Sequence, residues 1–255
     1  MCTVVISFLP DADTPVVLAG VRDEVLTRPW EPPAAHWPAF PGLYGGRDLE
    51  AGGTWLAADP AASRVAALLN GHGTLATPER RRTRGVLPLR AAASGGLPDV
   101  DLSCYDPFHL LVAEPECVRM WSWDGADLAE DKLPEGTHVI VNAGREPGEG
   151  GPRAAYFRPR FAAAPRPSAR SAAGDPREAW EAWRALAAGT DLPVTDPRAL
   201  VVRRELPGGR LWGTTSVTLV ALAPGALRYE FLPWPHGRPG DPAARGSWSP
   251  VPVTA

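Results

Sequence analysis

The sequence predicts an α+β protein in which one antiparallel sheet packs face to face on a second, with helices outside. Three observations carry this. Val65-Ala66-Ala67-Leu68-Leu69 is apolar at five consecutive positions before Asn70, and a strand apolar on both faces must be covered on both. Thirty prolines and 26 glycines in 255 residues cut the chain into strands joined by turns. Residues 176–188 alone carry a full set of helix signals: Asp175 as N-cap, Pro176 at the first position, Gly189 after the end, and a stripe of Trp180, Trp183, Leu186 and Ala187.

In chain order, residues 2–9 and 16–22 read as a hairpin around Pro10-Asp11-Ala12-Asp13-Thr14-Pro15. The prolines of residues 28–38 exclude a helix or central strand, and Trp30 and Trp37 are expected to pin this passage to the body. Two glycine pairs, Gly45-Gly46 and Gly52-Gly53, flank a short charged segment and point to tight turns or close backbone approach rather than phosphate binding. A strand from Thr54 pairs with residues 65–70, and Asn70-Gly71-His72-Gly73 leaves it in a loop open to a ligand. After an arginine cluster, Arg80-Arg81-Arg82-Thr83-Arg84, a short helix runs to Ala93; the cluster reads as a solvated face or a site for an anionic head group. Residues 108–113 and 118–123 form a hairpin, residues 136–141 a strand ending at Asn142, and strands near 199–204, 211–222 and 226–232 close the fold. The expectation is a single domain over 1–255, with 144–174 as weakly structured loop and a flexible Gly/Pro tail from about 235.

A net charge of −3 with 22% charged residues provides no basic excess for nucleic acid. Three scattered cysteines form neither a disulfide framework nor a zinc site and fit a reducing compartment. No signal peptide and no membrane-spanning stretch is evident, so the expected location is cytoplasmic.

Cys2 follows Met1 directly. With Met1 removed, its thiol lies within reach of its own α-amine, whose pKa of about 7.7–8.0 suits a general base. On a regular strand Arg22 and Asp23 point to opposite faces, so using both at one site requires a break or bulge. His72 and His138 are candidates to ligate an iron or haem. The tryptophans are core or loop anchors, some of which would line a pocket for a flat or lipidic ligand.

The chain resembles the NRDE family, which includes the transport and Golgi organisation proteins. The matching residues are Met1-Cys2, Arg22-Asp23-Glu24, Arg28-Pro29, Trp37, Gly46-Arg47-Asp48-Leu49, Gly52-Gly53-Thr54-Trp55-Leu56, Ala66-Ala67 with Asn70, and Arg84-Gly85. The family is similar to N-terminal-nucleophile hydrolases of the bile-salt hydrolase and penicillin V acylase branch. That likeness implies a four-layer αββα sandwich of two antiparallel sheets. It also implies Cys2 as nucleophile and base, Arg22 and Asp23 as its positioning pair, Asn70 as an oxyanion donor and Asn142 as a second polar contact. The sequence departs from the family at Val21, where the name-giving asparagine is expected, and at Thr215, where a late arginine is expected.

Two functions follow. One is a cysteine amidohydrolase or acyl hydrolase for linear amides, needing no cofactor. The other is a non-enzymatic binder or carrier of a hydrophobic ligand such as haem or acyl-CoA. Either implies a small-molecule or lipidic ligand, no nucleic acid and no membrane span.

Overall fold

The computed structural model describes residues 3–145, 151–170, 177–189, 191–234 and 246–254. Strands β1 (Thr3–Phe8) and β2 (Val16–Val25) form the first hairpin, and β3 (Trp30–Ala34) and β4 (Gly45–Asp48) a small ribbon. Next come β5 (Leu56–Asp59), β6 (Arg64–Asn70), helix α1 (Leu87–Ser94), β7 (Phe108–Glu114), β8 (Cys117–Trp123) and β9 (Leu128–Lys132). Then follow β10 (Gly136–Val141), β11 (Gly144–Arg145), α2 (Pro152–Ala163) and α3 (Arg177–Ala187). The chain ends with β12 (Arg203–Glu205), β13 (Leu211–Ala223), β14 (Ala226–Pro233) and β15 (Ser249–Pro250).

An eight-stranded antiparallel sheet runs β11-β10-β1-β2-β13-β14-β15, with β12 on β13; a five-stranded one runs β5-β6-β7-β8-β9. The period-2 alternation of strands sorts their side chains into layers. From β1, Val4, Ile6 and Phe8 face the core between the sheets, while Val5 faces α2 and α3. From β6, Val65, Ala67 and Leu69 enter the inter-sheet core, and Ala66 and Leu68 pack toward α1. The five-residue apolar run is thus buried on both faces, and the layer order is αββα.

Three expectations are corrected. Within 144–174, residues 152–163 are helical: Ala154, Phe157 and Phe161 form a buried stripe against the eight-stranded sheet. The prolines concealed it. Pro152 sits at the first turn, where no N–H is needed, and Pro159 is exposed, as is Ala155, whose carbonyl loses its helical donor to solvent. The second correction concerns the tail. Residues 246–254 return to the sheet, where β15 pairs with β14 and Val251 N donates to the Tyr229 carbonyl at 2.8 Å. The expected strand at 199–204 begins only at Arg203. The proposed helix cap at Asp175 and Pro176 lies outside the described residues.

Candidate functional site

Arg22 and Asp23 lie near the end of β2, and β2 itself runs through them without interruption. The irregularity beside them is in the partner strand. β13 pairs Thr214 with Asp23 and Ser216 with Arg22, leaving Thr215 as an extra residue. Each side chain of the pair therefore meets its own threonine. Thr214 Oγ1 donates to Asp23 Oδ1 at 2.6 Å, and Arg22 Nη1 donates to Thr215 Oγ1 at 2.8 Å. Both Arg22 and Asp23 are buried.

Asp48 is the hub that carries this pair outward. Its carboxylate accepts Arg28 Nε at 2.6 Å, Arg28 Nη2 at 3.1 Å and Arg22 Nη2 at 3.4 Å. It also accepts the backbone N–H groups of Glu50 and Ala51, which fixes the turn after β4. Burial pushes the Asp48 pKa up, but the hydrogen bond and charge of Arg28, the Ala51 N–H and the charge of Arg22 outweigh it and hold the carboxyl below its usual range. The Arg22 guanidinium lies over the Trp55 ring, 4.4 Å from its centroid. Trp55 in turn meets Trp30 edge-on, and Trp30 meets Phe231, so the proline-rich passage is pinned as expected. Trp37 closes the same passage by donating to the Gly52 carbonyl at 2.9 Å.

The glycine pairs have a steric reason. A Cβ on Gly46 would lie 2.3 Å from the Trp55 ring, and one on Gly53 would lie 2.4 Å from the Gly85 carbonyl carbon. The close approach lets Thr54 N donate to the Gly85 carbonyl at 2.9 Å, tying the arginine cluster to the segment before β5 that carries Trp55.

These elements enclose a cavity of about 610 Å³ lined by, among others, Arg22, Asp23, Asp48, Trp55, Asn70 and Arg84. Asn70 is exposed at the end of β6. The structure thus gathers Arg22, Asp23 and Asn70 around one space. Thr3 opens β1 at the same end, paired with Val21 on one side and Val141 on the other. Cys2 lies outside the described residues.

Asn142 is not among the cavity-lining residues. Its backbone carbonyl accepts His109 Nε2 at 3.1 Å, while Ser122 Oγ lies 2.8 Å from His109 Nδ1. A carbonyl can only accept, so the proton sits on Nε2 and Nδ1 accepts from the serine. Burial, opposed by the Asn142 contact and aided by the charge of His72, holds the His109 pKa below its ordinary value. This neutral histidine clasps the two sheets. The Asn142 Oδ1 atom is buried with no hydrogen-bond partner among the described residues.

His72 and His138 do not line the cavity. The ring of His138 is engaged with the Pro134 carbonyl at 2.8 Å. Among the described residues no group of three or more His, Cys, Asp or Glu could hold a metal ion, and no helix is long and apolar enough to cross a membrane.

Sequence reasoning passed over Asp48, Arg28 and Thr214 as site residues. Their motifs were visible, but the contacts joining positions as far apart as Asp23 and Thr214 were not.

The family model described as Transport and Golgi organisation 2 matches residues 1–164. The chain belongs to the Transport and Golgi organisation 2 family. Every cavity-lining residue falls inside the matched span, whereas Thr214 and Thr215 lie beyond it. No curated protein matches the chain. Among solved structures, a Caenorhabditis elegans N-acylethanolamine-hydrolyzing acid amidase ortholog is similar at 10% identity and a TM-score of 0.45, over 86% of this chain and 92% of that one. The departure at Val21 from the family's usual asparagine leaves the cavity untouched. Val21 is buried in the layer between sheet and helices, on the opposite face of β2 from Arg22.

Proposed function

We propose that this Transport and Golgi organisation 2 family protein is an N-terminal-nucleophile-type amidohydrolase acting on linear amides or acyl compounds through Cys2. The observation that carries the reading is the pairing of Thr3. Thr3, the residue that follows Cys2 in the sequence, is flanked by Val21 and Val141. Arg22 and Asn142 are the residues that follow those two partners.

In this mechanism the freed α-amine of Cys2 takes the thiol proton and the sulfur attacks the amide carbon. The C–N bond breaks, the amine leaves with the proton, and water hydrolyses the thioester to a carboxylic acid and free thiol. The Arg22 charge favours the thiolate. An Asn70 amide N–H donated to the oxyanion would supply roughly 2.7–4 kcal/mol, as comparable donors do.

Intact mass of the purified protein tests the first requirement: retained Met1 blocks the α-amine and ends the mechanism. With Met1 absent, incubation with an activated N-acyl amide should leave an acyl adduct on Cys2 that Cys2→Ala abolishes.

One observation favours a second reading, binding without turnover. The Arg22 guanidinium is committed to Asp48 and Thr215, and Thr215 stands where the resemblance expects an arginine. Acyl-compound binding that persists in Cys2→Ala, with no adduct in the parent protein, would select this reading.

A further inference from the structure

The cavity is lined by five arginines (Arg22, Arg28, Arg81, Arg82, Arg84) and four carboxylates (Asp23, Glu24, Asp48, Asp106). The carboxylates are already engaged. Asp48 holds Arg22 and Arg28, and Asp106 holds Arg81 at 3.1 Å. Glu24 accepts the Val25 N–H and lies 3.9 Å from Arg28, and Asp23 accepts the Thr214 hydroxyl.

Two guanidiniums remain without an acid within ion-pair distance among the described residues. Arg84 is half-buried, and its one hydrogen bond there is Nη1 to the Pro107 carbonyl at 2.6 Å. Burial pulls its pKa down, with Asp106 and Glu24 too remote to restore it fully against Arg81. The exposed Arg82 side chain makes no hydrogen bond or ion pair among the described residues.

The loop bearing them is held in place from several sides. Arg82 N donates to the Cys104 carbonyl at 2.8 Å, Arg81 Nη2 to the Ala76 carbonyl at 3.0 Å, and the Gly85 carbonyl accepts Thr54 N at 2.9 Å. A desolvated cation on a fixed loop is a preorganised receptor for an oxyanion, because its fork of donors matches carboxylate and phosphate oxygens. Arg80, by contrast, is outside the cavity and spends its charge on Asp101 at 2.6 Å.

We propose that Arg84, with Arg82, forms a subsite for a carboxylate or phosphate borne by the ligand, at the rim of the cavity that also holds Arg22 and Asn70. This rests on the cavity being the ligand site, as in both readings above, and makes the substrate class an amide or acyl compound with an anionic end.

The test uses the full chain in a Cys2→Ala background, so that binding is read whether or not turnover occurs. Probes are N-octanoylglycine, neutral N-octanoylethanolamine and its O-phosphate, with affinities from calorimetric titration. Inorganic phosphate is a bare probe followed by thermal shift. At least one anionic probe should bind about tenfold or more tightly over the neutral one, as expected for charge-assisted hydrogen bonds. Which anion gains identifies the group. Arg84→Gln should bring the ratio near one and remove phosphate protection, Arg82→Gln should lower it in part, and Arg80→Gln should leave it unchanged. Arg82 is exposed, so its variant reports even if Arg84→Gln fails to fold. Equal affinity for neutral and anionic probes, binding of no probe at all, or a ratio unmoved by both Arg82→Gln and a folded Arg84→Gln overturns the subsite. Failure of hydrolysis alone, with the anionic preference intact, overturns only the enzymatic reading.

Discussion

Replacing Asp48 by asparagine removes the charge on which Arg22 and Arg28 converge while keeping the side chain's size. The carboxylate receives three guanidinium contacts and two backbone N–H groups. An asparagine has one acceptor oxygen, and its NH₂ would confront donors. Deleting one partner of a fully buried ion pair costs about 3–5 kcal/mol. The cost is smaller here, because the Asp48 side chain is 14% exposed and Arg28 retains Glu50 at 2.9 Å. Discounting for that solvation and the remaining partner, the expected loss at pH 7 is about 2–4 kcal/mol. With a urea slope of about 1–3 kcal/mol/M this is a midpoint shift on the order of 1 M.

The same variant carries a pH signature. The native Asp48 pKa is depressed, so its contribution is fully present above the unfolded value near 3.9 and is lost as pH falls through the native value. Urea titrations of parent and Asp48→Asn from pH 7 downward should therefore converge below about pH 4. A difference under about 1 kcal/mol at pH 7, or one that stays constant as pH falls, would refute the hub.

Three further outcomes are expected. Gly53→Ala, whose Cβ would lie 2.4 Å from the Gly85 backbone, should cost about 1–3 kcal/mol and speed hydrogen exchange at the Thr54 amide. Gly52→Ala, strained at φ +71° but in open space, should cost about 1 kcal/mol without the exchange change. For His109 the native pKa is lowered, so the unfolded chain takes up the proton first and stability should fall as pH drops through the unfolded value of about 6.5. His109→Asn should flatten that slope in part, since His138 is shifted the same way; an unchanged slope would show that the clasp is not titrating. Arg166 serves the Thr14 and Pro15 carbonyls and both oxygens of Ser7, and burial lowers its pKa to about 10. Arg166→Met should cost about 2–4 kcal/mol by orphaning those acceptors and should loosen the β1–β2 turn, read from exchange at the Leu9 amide.

The layered fold was legible because burial writes itself locally. Five apolar residues in a row at Val65–Leu69 require cover on both faces, and that cover is present. Helix α2 was illegible because Pro152 and Pro159 argue against it residue by residue, and only the packing of Phe157 and Phe161 decides otherwise. At the site, Arg22, Asp23 and Asn70 could be named from motif and spacing. Asp48 could not be given its role, since nothing in Gly46-Arg47-Asp48-Leu49 says which arginines it receives. His109 sits in a strand that reads as apolar core, and its bond to the Asn142 carbonyl depends on how two sheets face each other.

The β13 irregularity gives each of these adjacent, oppositely charged residues its own hydroxyl partner. With it, Thr214 satisfies the carboxylate and Thr215 the guanidinium, each by a hydroxyl small enough to leave Trp55 over Arg22. A longer cationic side chain at 215 would place a second guanidinium against Arg22 and compete with it for Asp48. The cation that the resemblance places on this strand is absent here. The positive charge not matched by nearby carboxylates lies instead on the loop across the cavity, at Arg82 and Arg84. The floor of the site is therefore electrically matched and its rim is not, so discrimination between charged and neutral ligands must originate at the rim.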